Sequence, residues 1–81
     1  MRLFIILVLA ISFLWSSIDI NSANVKELSS LKGIGKVKAQ AIIDYRQENC
    51  FRSVKELVKV KGIGKKTLEK NLSKITVSEC Q

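Results

Sequence analysis

Val25-Lys26-Glu27-Leu28-Ser29-Ser30-Leu31-Lys32-Gly33-Ile34-Gly35-Lys36 returns 29 residues later as Val54-Lys55-Glu56-Leu57-Val58-Lys59-Val60-Lys61-Gly62-Ile63-Gly64-Lys65, with nine of twelve positions identical. Chance does not produce such identity in a chain of 81 residues, so the sequence is a tandem duplication. Each copy opens on a capping-box pattern, Asn24 with Glu27 and Ser53 with Glu56, which starts helices near Val25 and Val54. Val25, Leu28 and Leu31 then give the first helix an apolar stripe, as Val54, Leu57 and Val60 do the second. Gly33 and Gly62 are expected to end these helices, because glycine accepts the left-handed conformation of a C-terminal cap. A further helix restarts after Gly35, with Ala39, Ile42, Ile43 and Arg46 at helical spacing, and after Gly64, with Leu68 and Leu72. Each copy reads helix, tight Gly-Ile-Gly turn, helix. The predicted fold class is all-α, with hairpins near 24–43 and 53–72 linked by Asn49 to Ser53.

The use of such a turn follows from where its amides point. The first N–H groups of the helix after the second glycine have no intrahelical acceptor, and the helix dipole adds partial positive charge there. Glycines on both flanks remove the β-carbons that would hold a phosphate oxygen away, and the central Ile34 or Ile63 turns inward to join the two helices. Lys36 and Lys65 begin the second helices, and Lys32, Lys38, Lys61 and Lys66 surround the turns. One isolated Gly-x-Gly is more economically a cap and turn on a solvated basic face. Two copies with the same glycines, isoleucine and lysines reverse that judgement, since one hairpin per strand of a duplex explains the duplication better than solubility does.

Outside the repeat, Leu3 to Trp15 holds a single polar residue, Ser12. A basic start at Arg2, this 13-residue apolar block and the small Ser16 and Ser17 match the layout of a secretory signal peptide. The block is short for a full bilayer span, yet a cut after Ser16 or Ser17 leaves Leu14 or Trp15 at the −3 position, so an uncleaved anchor stays open. Residues 1–18 are assigned to a signal peptide or N-terminal membrane anchor and 19–81 to the hairpin domain, periplasmic or secreted. In an oxidising compartment Cys50 and Cys80 are expected to pair, closing a loop of 80 − 50 + 1 = 31 residues; two free thiols or an intermolecular bridge are the alternatives.

From residue 19 onward the chain has 13 basic and 7 acidic side chains, a net charge of 13 − 7 = +6 that seeks an anionic partner. With no His and two Cys, His-dependent zinc sites, Ser-His-Asp and Cys-His catalysis and four-cysteine clusters are excluded. Glu27 and Glu56 are used in caps and the other acids are scattered, which argues against a nuclease or glycosylase. No enzyme, cofactor, metal or small-molecule substrate is expected. Only Tyr45 and Phe51 are aromatic in the domain, and neither lies in a hairpin, so base stacking on single strands is disfavoured. A membrane-active cationic helix is disfavoured too, because the glycine turns break the chain into short helices.

Leu28-x-x-Leu31-x-Gly33-Ile34-Gly35-x-x-x-Ala39-x-x-Ile42-Ile43 resembles the helix-hairpin-helix DNA-binding motif, and the chain from about residue 19 to 77 resembles the ComEA-type competence family. The second copy departs from the motif at Leu68, where the first has Ala39. Further family-like text lies in Ile20-Asn21-x-Ala23, Ala41-Ile42-Ile43-x-Tyr45-Arg46 and Ile75-Thr76-Val77. The resemblance implies non-specific binding of double-stranded DNA outside the cytoplasm and retention of incoming DNA during transformation, beside uptake machinery at the inner membrane. The contact residues it implies are Lys32, Gly33, Ile34, Gly35, Lys36, Lys38, Lys61, Gly62, Ile63, Gly64, Lys65 and Lys66. The cysteines are no part of the motif. A structural module that docks on a protein is the rival reading; it predicts an exposed apolar patch and little dependence on Lys36 or Lys65.

Overall fold

A computed structural model describes residues 17–80. The elements run β1 (Ile18–Asp19), α1 (Val25–Ser29), α2 (Lys36–Glu48), a 3-10 helix (Val54–Lys59), α3 (Lys65–Asn71), a 3-10 turn (Leu72–Lys74) that continues α3, and β2 (Ile75–Thr76).

In α1 the expected capping box is complete: Asn24 Oδ1 accepts from the Glu27 amide at 2.8 Å and Glu27 Oε1 accepts from the Asn24 amide at 3.1 Å. The second copy differs. Ser53 Oγ accepts from the Lys55 amide at 3.2 Å, while the Glu56 carboxylate turns outward to accept from the Arg52 amide at 2.6 Å and to meet Lys59 Nζ at 3.2 Å. Without the reciprocal box, and with β-branched Val54 and Val58 where the first copy's second site is Ser29, this segment winds as a 3-10 helix. The helix boundary is also corrected. α1 ends at Ser29 with Ser30 as cap, so Gly33 does not cap it. Gly33 instead takes the third position of the turn Leu31 to Ile34, closed by the Ile34 amide donating to the Leu31 carbonyl at 3.2 Å. Its φ of 76° is the left-handed value a glycine supplies there; Gly62, at 90°, repeats this in the turn closed by Ile63 on Val60.

The two copies share one core. Leu28, Leu31, Ile34, Ala39 and Ile42 of the first are buried against Leu57, Val60, Ile63 and Leu68 of the second, with Ile20, Phe51 and Ile75 completing it. Tyr45 stacks on Phe51 with ring centroids 5.2 Å apart, which assigns both aromatics to packing. Leu72, expected on α3's inward stripe, is 44% exposed, because the helix face turns Asn71 inward in its place.

The all-α expectation is corrected by a small parallel sheet: β1 pairs with β2, Ile18 opposite Ile75 and Asp19 opposite Thr76. Strands of two residues carry no periodicity by which to read them. The pairing also draws Ile18 into the folded unit, one residue before the boundary set from the sequence; of the rest of the signal or anchor assignment, Ser17 is exposed and residues 1–16 lie outside those described. Asn21 ties three segments at this end. Its Oδ1 accepts from the Phe51 amide and its Nδ2 donates to the carbonyls of Phe51 and Ser78 at 2.8 and 3.0 Å. The expected Cys50–Cys80 disulfide is formed beside it, with Cα atoms 5.9 Å apart.

Candidate nucleic-acid interface

Both second helices begin on glycine. Gly35 and Gly64 are their N-caps, neither with a side-chain cap hydrogen bond. The first amides to find helical acceptors are those of Ala39, on the Gly35 carbonyl at 2.9 Å, and Leu68, on the Gly64 carbonyl at 3.1 Å. The amides of the preceding turn are therefore left over by helix geometry: Lys36, Val37 and Lys38 in one copy, Lys65, Lys66 and Thr67 in the other. A β-carbon built on Gly35 or Gly64 meets nothing within 4 Å, so the space beside each N-cap is open. Ile34 and Ile63, by contrast, are buried and pin each turn to the core.

The repeats come together reciprocally. A β-carbon on Gly33 would lie 3.6 Å from the Thr67 side chain at the third position of α3, and one on Gly62 would lie 3.6 Å from Lys38 at the third position of α2. Gly33 and Gly62 are repeat equivalents, as are Lys38 and Thr67, so each turn rests on the first turn of the other copy's helix across a pseudo-twofold axis. The fold thus brings the two turn regions together, but Ile34 and Ile63, expected among the contact residues, are buried and support the turns from within. Lys32, Lys36, Lys61, Lys65 and Lys66 are exposed; Lys38 bends back, its Nζ donating to the Gly33 carbonyl at 3.4 Å. No carboxylate occurs from residue 28 to 43 or from 57 to 68, so nothing within either turn region offsets the lysines.

Carboxylates lie elsewhere. Asp19 is pushed up by partial desolvation, but bonds from the Asn21 amide and from Ser78 and Ser22 outweigh this and hold it below its ordinary value. Glu56 is held low by the Arg52 amide and Lys59. Among the described residues no cluster of three or more His, Cys, Asp or Glu is placed to hold a metal, and no helix is long and apolar enough to cross a membrane.

A family model described as the helix-hairpin-helix motif matches residues 15–76 of the chain. The chain belongs to the helix-hairpin-helix family. It is also 48% identical over 61 residues to ComE operon protein 1 of Bacillus subtilis (strain 168), a match covering 74% of this chain and 30% of that relative. The chain thus spans less than a third of that protein's length, and the two findings together bear out the resemblance to ComEA-type helix-hairpin-helix proteins.

The sequence reading missed Asn71, a fully buried polar side chain that holds the first turn. A signal was present: the repeat alignment sets Asn71 against apolar Ile42. It also passed over Val37, 85% exposed between Lys36 and Lys38, where the second copy has Lys66.

Proposed function

We propose that this protein is an exported, sequence-independent double-stranded DNA-binding protein that retains incoming DNA during natural transformation. Each Gly-Ile-Gly hairpin seats a backbone phosphate on the free amides of a helix start, and Lys32, Lys36, Lys38, Lys61, Lys65 and Lys66 add Coulomb attraction and counterion release. The single observation that carries the reading is the reciprocal packing of Gly33 on Thr67 and Gly62 on Lys38, which brings together two helix starts whose turn segments hold no carboxylate. Phosphate contacts position a protein without reading bases, and these turns present backbone and lysine, so affinity is indifferent to sequence. The role is one of binding, without catalysis, cofactor or small-molecule substrate. The apolar N-terminus delivers the domain to the periplasm or outside the cell, free or anchored at the inner membrane, where uptake machinery receives the DNA. Residues 1–17 would be the targeting or anchoring part and 18–81 the binding domain, with Ile18 moved across by its pairing with Ile75.

The full chain should bind unrelated duplexes of equal length with affinities agreeing within a few-fold. With about four phosphates neutralised, log K against log[salt] should fall with a slope near −3.6, a loss of roughly a hundredfold between 50 and 200 mM. Strong discrimination between sequences would defeat the reading.

One observation favours a second reading, that the domain docks on a protein. Val58, Leu68 and Leu72, with Lys55, Lys65 and Glu69, line an open apolar cavity of about 470 Å³ on the second copy, with Lys65 at its edge. That reading predicts normal partner capture after Lys36→Ala and Lys65→Ala, and loss of it after Leu72→Glu.

A further inference from the structure

Asn71 is the one fully buried polar residue among those described, and it stands where the first copy has Ile42. Its Oδ1 accepts from the Lys32 amide at 2.9 Å, and its Nδ2 donates to the Lys32 carbonyl at 2.9 Å and to the Thr67 carbonyl at 2.8 Å. Both amide protons are used, and the side chain pairs with both backbone groups of Lys32 as a neighbouring strand would. Lys32 lies directly before Gly33 in the first turn, whereas Asn71 ends α3, the helix that follows the second turn. The repeat equivalent of Asn71 is Ile42, which has no hydrogen bond to give to Lys61, the equivalent of Lys32. The first turn is thus hydrogen-bonded to the second copy, while the second turn rests on the first copy by packing alone.

Cohesion does not require this amide. An aliphatic residue fills the equivalent site in the first copy, and a buried polar group costs stability unless every bond is made. What the two bonds to Lys32 supply, with the third to Thr67 of the same helix holding the side chain in place, is a fixed angle and distance between the Gly33 turn and α3. We propose that Asn71 is a positioning residue that locks the two hairpins into one bivalent unit, so that seating one phosphate presents the other hairpin to the opposite strand. This rests on the reading of the hairpins as phosphate sites. A preset geometry makes the second contact intramolecular, and a loosened turn gives up that effective concentration.

The test is anisotropy of a fluorescent random-sequence 20-base-pair duplex titrated with the full chain over a salt series, at a temperature where circular dichroism shows each variant folded. Asn71→Leu should lose affinity ten- to a hundredfold, and its salt slope should shrink by about 1.8 as two phosphates drop out. The Cys50→Ser/Cys80→Ser double variant, destabilised elsewhere, should keep the parent's slope. A folded Asn71→Leu with unchanged affinity and slope overturns the proposal, and so does the same slope change in the cysteine variant, since that would mark a general effect of lost stability. If Asn71→Leu does not fold, the parent decides by nuclear magnetic resonance: amides of residues 36–38 and 65–67 should titrate with a single midpoint against the duplex. Separate midpoints for the two hairpins overturn the coupling while leaving the hairpins as phosphate sites. A parent that binds no duplex overturns the reading beneath it, and the proposal with it.

Discussion

Valine at Gly35 or Gly64 separates recognition by backbone amides from attraction by bulk charge. Gly35 and Gly64 have φ of −95° and −101° with extended ψ, so a branched residue enters without left-handed strain. A β-carbon at either site touches nothing within 4 Å, so a branched side chain enters without a clash at its β-carbon, and the reading expects it to crowd a phosphate on the adjoining amides. Gly33 and Gly62 would be poor probes, because their φ of 76° and 90° penalises any side chain before DNA is considered. Replacing an N-cap glycine by valine costs about 1 kcal/mol of helix stability or less, which a melt will register separately. A charge-assisted hydrogen bond is worth about 1.5–3 kcal/mol. Excluding one phosphate oxygen should therefore weaken duplex binding by roughly 10- to 150-fold with net charge unchanged. Lys36→Ala or Lys65→Ala instead removes one counterion-releasing contact, about eightfold near 0.1 M salt, with the slope reduced by about 0.9. The assay is anisotropy against one random duplex across salt for all four variants, with circular dichroism confirming the helices. The glycine variants should lose more than the lysine variants, and Gly35→Val at least as much as Gly64→Val, because the first hairpin keeps small Ala39 where the second has Leu68. Folded glycine variants that bind as tightly as the parent would mean that a diffuse basic surface holds the DNA.

Removing the Cys50–Cys80 bond, which spans a separation of 30 residues, should cost about 3–4 kcal/mol in the chain-entropy account and lower the melting temperature by roughly 15 °C or more. Duplex affinity at a temperature where the reduced protein is folded should be unchanged, since neither cysteine lies in a hairpin; two alkylatable thiols in protein recovered from the exported fraction would refute the bond itself. Asp19 titrates below 3.8 when folded, so its bonds to Asn21, Ser22 and Ser78 contribute fully above that pH and are lost as pH falls through the lowered value. The melting temperature of Asp19→Asn should accordingly lie below the parent's at neutral pH and converge on it in acid, and a gap that stays constant down to pH 2 would count against this. Glu56→Gln, which keeps an acceptor for the Arg52 amide but loses the charge facing Lys59, should change stability little, because the ion pair is an exposed one at 3.2 Å.

How much of this protein its sequence determines depends on the range of the interaction involved. The glycine turns, the inward Ile34 and Ile63, the helix starts at Val25 and Val54 and the first capping box are local, set by spacings of one to four residues, and all are found where the repeat puts them. The duplication supplied a second reading of each. Where copies diverge, local reasoning failed: Ser53 and Glu56 repeat the capping-box pattern, yet the carboxylate turns to Arg52 and the segment winds as a 3-10 helix. The helix stripe that named Leu72 as core could not choose between it and Asn71, because the choice depends on what faces α3. Only tertiary structure brings Lys32, 39 residues away, to bond that amide. The same holds for Ile18 on Ile75 and for Asn21 on Phe51 and Ser78, pairings too short or too distant in sequence to leave a period. The sequence by itself determined two glycine turns and the charge around them. That the turns share one surface, each resting on the other's helix, was decided by the pseudo-twofold core, since burying two half-stripes against each other is the only way either copy can leave water.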